Sequence, residues 1–285
     1  MTPVSATGTA ILMADADPAH DQPHETPAGT DHTASPGRSS YDLNPLAWSE
    51  PLRWLALGWR DYRRHPGIGT FYGLCFVLMG WALMTVFKQA PAWTLALSGG
   101  FLLVGPFLCM GMYQVSRRLE RGELPELSAS LTAWRHHMGQ MAIFGFVLLV
   151  LEMVWARSTL VIFALSFDGM PDFKGSLMAL FNPENIEFIV AWLMVGSVFA
   201  GMIFSVSVVS IPMMLDEQVD AITAGLTSLR LVLSQPGVML LWGALITALV
   251  AIAMLPWFAG LVVVGPVLGH ASWHAYRAAV ARAQG

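Results

Sequence analysis

Residues 68–87 read IGTFYGLCFVLMGWALMTVF, twenty positions without one charged side chain. A helix rises ~1.5 Å per residue and the hydrocarbon core of a bilayer is about 30 Å thick, so a run of this length crosses a membrane. Five further apolar stretches follow, near 92–115, 139–165, 188–214, 237–255 and 257–276. Six spans and an all-α polytopic membrane protein are therefore expected.

The composition agrees. The chain of 285 residues is 55% hydrophobic and 12% charged, against roughly 25% charged in a soluble domain. There is too little polar surface to cover the apolar side chains, so lipid must cover them. A net charge of −4 and the lack of a basic stripe argue against a nucleic-acid partner. Cys75 and Cys109, the only cysteines, cannot form a disulfide framework. The amino-terminal run at 10–14 is too short for a signal peptide, and acidic residues replace a cationic start. Insertion is expected to rely on the first span.

Charge placement predicts orientation. Arg38, Arg53, Arg60, Arg63 and Arg64 precede the first span. Arg117, Arg118, Arg121 and Arg135 lie in the second connection, Arg230 in the fourth, and Arg277 and Arg282 after the last span. Only Lys88, Arg157 and Lys174 fall on the other side. Positive residues collect on the cytoplasmic side of membrane proteins, which places both termini there. Trp54, Trp59, Trp93, Trp134, Trp257 and Trp273 sit near span ends, where an indole suits the headgroup layer.

Residues 1–45 carry Pro, Asp, His, Thr and Gly with few large apolar side chains. Such a segment cannot offset its ordering entropy and is expected to be a disordered tail. His20, His24 and His32 within it match no rigid metal-site spacing. The membrane domain then covers 46–285.

That domain carries an internal repeat. Leu127-Ser-Ala-Ser-Leu-Thr-Ala-Trp-Arg135 aligns with Ile222-Thr-Ala-Gly-Leu-Thr-Ser-Leu-Arg230, and Leu52 to Arg60 is a weaker third copy. His65-Pro66-Gly67 and Gln235-Pro236-Gly237 lead into spans, and Pro106, Pro212 and Pro266 each interrupt one. The expected unit is a short cytoplasmic amphipathic helix followed by a transmembrane hairpin, used three times, at about 52–121, 122–217 and 218–277. Apolar stripes are expected at Leu52, Leu55, Ala56 and Trp59, at Leu127, Leu131 and Trp134, and at Ile222, Leu226 and Leu229, facing either lipid or the bundle.

Three groups of residues carry candidate chemistry. Glu152 is the one acid deep in a span, where a carboxylate needs a partner, water or a proton, so it is a candidate transport or proton site or an interhelical hydrogen bond. Cys75, Cys109 and His270 fall near one depth, with His274 at i+4 on the face of His270, and thiolate and imidazole suit copper or haem iron. Cysteine in an apolar core and histidine near a span end have plainer explanations, so no cofactor is assigned. Arg117, Arg118 and Arg121 could meet lipid headgroups or serve only as a topology signal. No hydrolase, kinase or nucleotide motif is present, so an enzyme is not expected.

Four strings add a likeness: Gly100-Phe-Leu-Leu-Val-Gly-Pro106, Tyr113-Gln-Val-Ser-Arg-Arg-Leu-Glu-Arg-Gly122, Val208-Val-Ser-Ile-Pro-Met-Met-Leu-Asp216 and Gly265-Pro-Val-Leu-Gly-His-Ala-Ser-Trp-His-Ala-Tyr-Arg277. From Leu52 to Val280 the chain resembles a family of predicted bacterial integral membrane proteins of unknown function. Some members carry an automatic cytochrome c oxidase subunit I label. The resemblance implies a six-span protein of the bacterial inner membrane without a known catalytic site. The histidines here cannot build a haem–copper core, because His270 and His274 share one helix while His65, His136 and His137 lie at span edges.

Two functions remain open. One is a non-enzymatic small-solute or ion permease or membrane scaffold, with the lipid bilayer and other membrane proteins as partners. The other is a haem- or copper-associated accessory or assembly factor of a respiratory oxidase.

Overall fold

The computed structural model describes residues 41–90, 93–166, 186–217 and 219–282, all within the unit Ser39–Gly285. The expected tail through residue 40, with its histidines, and Lys174 lie outside the described residues. Strand β1 is Tyr41–Leu43, followed by helices α1 (Glu50–Arg64), α2 (Pro66–Gln89), α3 (Thr94–Glu120) and α4 (Leu127–Leu131). A 3-10 turn at Ala133–His137 leads into α5 (Met138–Ser166). Then come α6 (Ile186–Ser207), α7 (Ser210–Glu217), α8 (Ala221–Ser234), α9 (Pro236–Met254), α10 (Leu261–Ala279) and strand β2 (Val280–Arg282). The strands pair antiparallel, Tyr41 opposite Arg282 and Leu43 opposite Val280. Regular structure thus begins ahead of the tail boundary expected at residue 45.

Among the described residues, five helical stretches are long and apolar enough to cross a membrane: Pro66–Gln89, Leu97–Glu120, Leu127–Ile162, Ile186–Glu217 and Pro236–Met254. The chain is an all-helical, multi-pass membrane protein. The sixth expected span corresponds to α10, which is not among the five. Its second half carries His270, Ser272, Trp273, His274, Tyr276 and Arg277. Most of these are buried against protein, and a helix enclosed by other helices need not be apolar all round.

α10 is the axis of the core, with α1, α2, α3 and α9 packed on it. Two glycines allow the closest approaches. A Cβ on Gly73 would stand 2.1 Å from the carbonyl oxygen of Val262, and one on Gly58 would stand 2.5 Å from that of Val267. Without a hydrophobic drive between helices in lipid, such small-residue contacts are how backbones come together.

The two ends of the bundle are built differently. At one end Trp81 donates its indole N–H to the Trp257 carbonyl at 2.8 Å, and Lys88 Nζ lies 5.7 Å from the centre of the Trp257 ring. The chain turns there through Trp257 (φ 54°) and Phe258 (φ 66°). At the other end β1, β2 and the ends of α3, α7 and α10 meet. Gln235 clamps this end: its Oε1 accepts from Leu46 N–H at 2.6 Å and its Nε2 donates to the Asn44 carbonyl at 2.8 Å.

α1 and α8 present the reverse of a soluble amphipathic helix. On α1 the buried face is Pro51, Trp54, Gly58 and Asp61, while Leu52 and Trp59 of the expected stripe are exposed. On α8 the buried face is Ala221, Ala224, Thr227, Ser228 and Leu231, while Ile222 and Leu226 are exposed. Apart from Trp54 and Leu231, the residues that pack inward are small or polar, and Leu52, Trp59, Ile222 and Leu226 point outward. Ser228 shows what the small face does. Its Oγ donates to the Ser205 carbonyl at 2.7 Å and accepts from Val209 N–H at 3.5 Å, so it pairs backbone groups on both sides of the break between α6 and α7. Of the tryptophans expected at the headgroup layer, Trp59, Trp93 and Trp257 are exposed, but Trp54 and Trp273 are each 1% exposed and belong to the core.

Candidate functional site: a buried Asp–His network and a charged rim pocket

Gly58 brings α1 onto α10, and Asp61, one turn further along the same face, enters the interface. His270, His274 and Arg277 follow one another at turn spacing on α10 and meet it there. Asp61 Oδ2 accepts from His274 Nε2 at 2.7 Å and from Ser116 Oγ of α3 at 3.0 Å. Ser116 Oγ also lies 2.8 Å from His270 Nδ1. A carboxylate only accepts, so the hydroxyl proton of Ser116 goes to Asp61. All four side chains are buried. Burial alone would push the Asp61 carboxyl up. The His274 hydrogen bond, the charges of His274 and His270 and the Ser116 bond together outweigh it, and hold the group below its ordinary 3.8.

The network continues to the surface. His274 Nδ1 lies 3.6 Å from Glu120 Oε1. Arg277 reaches Glu120 Oε2 and Asp216 Oδ2, each at 3.3 Å. Asp216 also meets Arg117 Nε at 3.1 Å and accepts from Tyr276 OH at 3.2 Å. These bonds tie the ends of α3, α7 and α10 around a pocket of about 490 Å³, closed on one side by Asn44, Val280 and Ala281.

The residues singled out from sequence divide accordingly. His270 and His274 belong to the Asp61 network. Cys75 lies on α2 and Cys109 on α3, both free thiols, and among the described residues no group of three or more His, Cys, Asp or Glu is placed to hold a metal ion. The shared depth of the cysteines and His270 therefore does not make a ligand set. Glu152 is half-buried and accepts from Ser98 Oγ at 3.1 Å, which joins α5 to α3. Arg117 enters the pocket through its bond to Asp216. Arg118 pairs instead with Glu123 at 3.1 Å. Arg121 lines the pocket.

Asp61, Ser116, Glu120 and Asp216 were not evident as site residues. A signal for Asp61 existed: it shares a face with Trp54 and Gly58 at i, i+4, i+7 spacing, but the larger side chains of the opposite stripe dominate a hydrophobicity reading. Nothing local marks Ser116 or Asp216, whose partners lie on distant helices.

The fold and this polar core define a multi-pass integral membrane protein. Residues 94–216 match the model of a family described as "Predicted integral membrane protein (DUF2189)", which has no known function. The match runs from α3 to α7 and includes both Arg117 and Asp216. Comparison with curated proteins and with solved structures found no match.

Proposed function

We propose that this chain is a non-enzymatic protein of the bacterial inner membrane, with both termini cytoplasmic, that acts as a membrane scaffold. It is read as three related units, each a lead-in helix and a hairpin, with α10 as the sixth crossing. The near-identical elbows at His65 (φ −137°, ψ 66°) and Gln235 (φ −135°, ψ 57°), each followed by Pro-Gly, support the repeat. The single observation that carries the scaffold reading is that ionisable groups within the bundle bond to other helices: half-buried Glu152 to Ser98, and buried Asp61 to Ser116 and His274. A permease would leave such groups facing a path.

The partner surface is α6, none of whose residues is buried among the described residues. Other membrane proteins and lipid are its expected neighbours. The small-solute or ion permease is the second reading, favoured only by the acidity of Glu152 at mid-span. The oxidase-accessory reading loses its motive once the cysteines and histidines do not converge.

The test is reconstitution into vesicles. The scaffold reading expects no proton or ion flux above protein-free vesicles, and Glu152→Gln should lower thermal stability without altering flux. Flux abolished by Glu152→Gln in a folded protein would favour the permease instead.

A further inference from the structure

The exposed half of α1 divides into two stripes. Leu52, Ala56, Trp59 and Arg63 follow one another along one line of the helix, and Arg53, Arg60 and Arg64 form a second row about 100° round from the first. All of these residues are exposed. Trp59 is steadied by stacking on Tyr62, with ring centres 5.7 Å apart. The helix is thus apolar on one outward stripe and cationic on the next, while Trp54, Gly58 and Asp61 face the protein.

Two of the arginines are spare. Arg53 pairs with Glu50 at 3.2 Å and Arg60 lies 3.9 Å from Asp61, whereas Arg63 and Arg64 form no ion pair among the described residues. The chain fixes their depth. His65 alone separates α1 from α2, and α2 is long and apolar enough to cross the membrane from Pro66 onward. Two uncompensated guanidinium groups therefore stand where the first span meets the headgroups. Helix α8 supplies an internal comparison. It joins α9 through the matching elbow at Gln235 and also turns Ile222 and Leu226 outward, but Leu233 and Ser234 occupy the places of Arg63 and Arg64. It ends without a basic residue in its last turn, so the helix dipole alone does not require the arginines.

We propose that the outward face of α1 binds anionic phospholipid of the membrane it enters, with Arg63 and Arg64 on the headgroup phosphates and Leu52, Ala56 and Trp59 against the upper acyl chains. A helix lying in the interface is held by its apolar stripe and by the attraction of basic side chains to negative headgroups, and α1 carries both side by side. The inference goes beyond the scaffold reading and does not depend on it, because it needs only that α2 crosses the membrane.

The test uses the full chain with Cys75→Ala and Cys109→Ala, carrying one bimane fluorophore through Ala56→Cys on α1 or Leu226→Cys at the matching place on α8. It is reconstituted into vesicles of equal parts phosphatidylglycerol and phosphatidylcholine, with bromine on the acyl chains of one lipid or the other as quencher. The quenching ratio is expected to show phosphatidylglycerol enriched about fivefold or more around residue 56, the preference that one arginine near a negative surface supplies. Around residue 226 the two lipids should quench nearly equally. Arg63→Gln with Arg64→Gln should abolish the enrichment at 56, and Arg63→Lys with Arg64→Lys should keep it. Neither arginine holds an ion pair, so both double variants should fold as the parent does, which their melting temperatures check. Equal quenching by the two lipids at 56, enrichment at 226 matching that at 56, or enrichment that survives both Gln changes overturns the proposal. Saturable binding of soluble polyglutamate without lipid enrichment, lost in the Gln variant, would overturn it in favour of an acidic protein segment.

Discussion

Asp61 and His274 stand 213 positions apart in the chain and share a 2.7 Å hydrogen bond with both side chains buried. The bond joins the first helix to the last, and Ser116 adds the third helix to the same carboxylate oxygen. Three elements that hydrophobicity alone would leave free to slide in lipid thus have a fixed register. The same register places Glu120, Asp216 and Arg277 around the rim pocket.

This arrangement makes stability pH-dependent in one direction. The Asp61 carboxyl is held below its ordinary 3.8 in the folded protein, so the folded state binds that proton less readily than the unfolded chain. The stabilisation is fully present above 3.8 and is lost as pH falls through the lower folded value. Melting temperature measured from pH 6 down to pH 3 should fall more steeply in the parent than in Asp61→Asn. Parallel curves would show that Asp61 contributes nothing to the pH response.

Glycine substitutions should separate by position. Gly58→Ala would force a Cβ to within 2.7 Å of the Ala271 amide and within 2.5 Å of the Val267 carbonyl oxygen, and overpacking of this kind costs about 1–3 kcal/mol. Gly225→Ala on α8 meets nothing within 4 Å and should gain ~0.5–1 kcal/mol from helix propensity. Thermal or denaturant unfolding in detergent reads both. A harmless Gly58→Ala would mean that α1 does not sit on α10 as described.

The outward stripes of α1 and α8 should contact lipid. Single cysteines at Leu52, Ile222 and Leu226, spin-labelled in vesicles, should be relaxed by dissolved oxygen more than by a water-soluble nickel chelate. Labels at Thr227 and Ser228 should be protected from both. The opposite pattern would place α8 in water and remove the inverted-face account.

The purified protein should be colourless and metal-free. Cys75 and Cys109 lie on α2 and α3, whereas His270 and His274 are engaged by Ser116 and Asp61. A haem absorption band, or copper near one per chain and lost in Cys109→Ala, would restore the redox reading.

Much of the fold was legible because its signals are local. The run at 68–87 and the apolar stretches after it mark helices by length and hydropathy, and the Pro-Gly pairs mark the elbows. The apolar stripes of α1 and α8 were legible, but which of the two, lipid or the bundle, they face was not. In water the larger apolar side chains turn inward, whereas at a membrane they turn to lipid and Gly58, Ala224 and Ser228 face the protein. The polar core was half legible. His270 and His274 stood out by their spacing on one helix, but their partners Ser116 and Asp61 are defined only by how α1 and α3 pack. The rim pocket had three arginines visible as a charge cluster or a tail residue, with nothing to show that Arg118 would leave it and Arg277 would enter.

The central claim is that the buried ionisable groups hold this bundle together, and a double-mutant cycle at Asp61 and His274 tests it most directly. Asp61→Asn, His274→Gln and the double variant would be unfolded in the same detergent at pH 7. Each single change should cost about 2 kcal/mol or more, and the double variant should cost about 1–2 kcal/mol less than the two together, because each removes the same bond. Strictly additive losses, or single variants as stable as the parent, would contradict it.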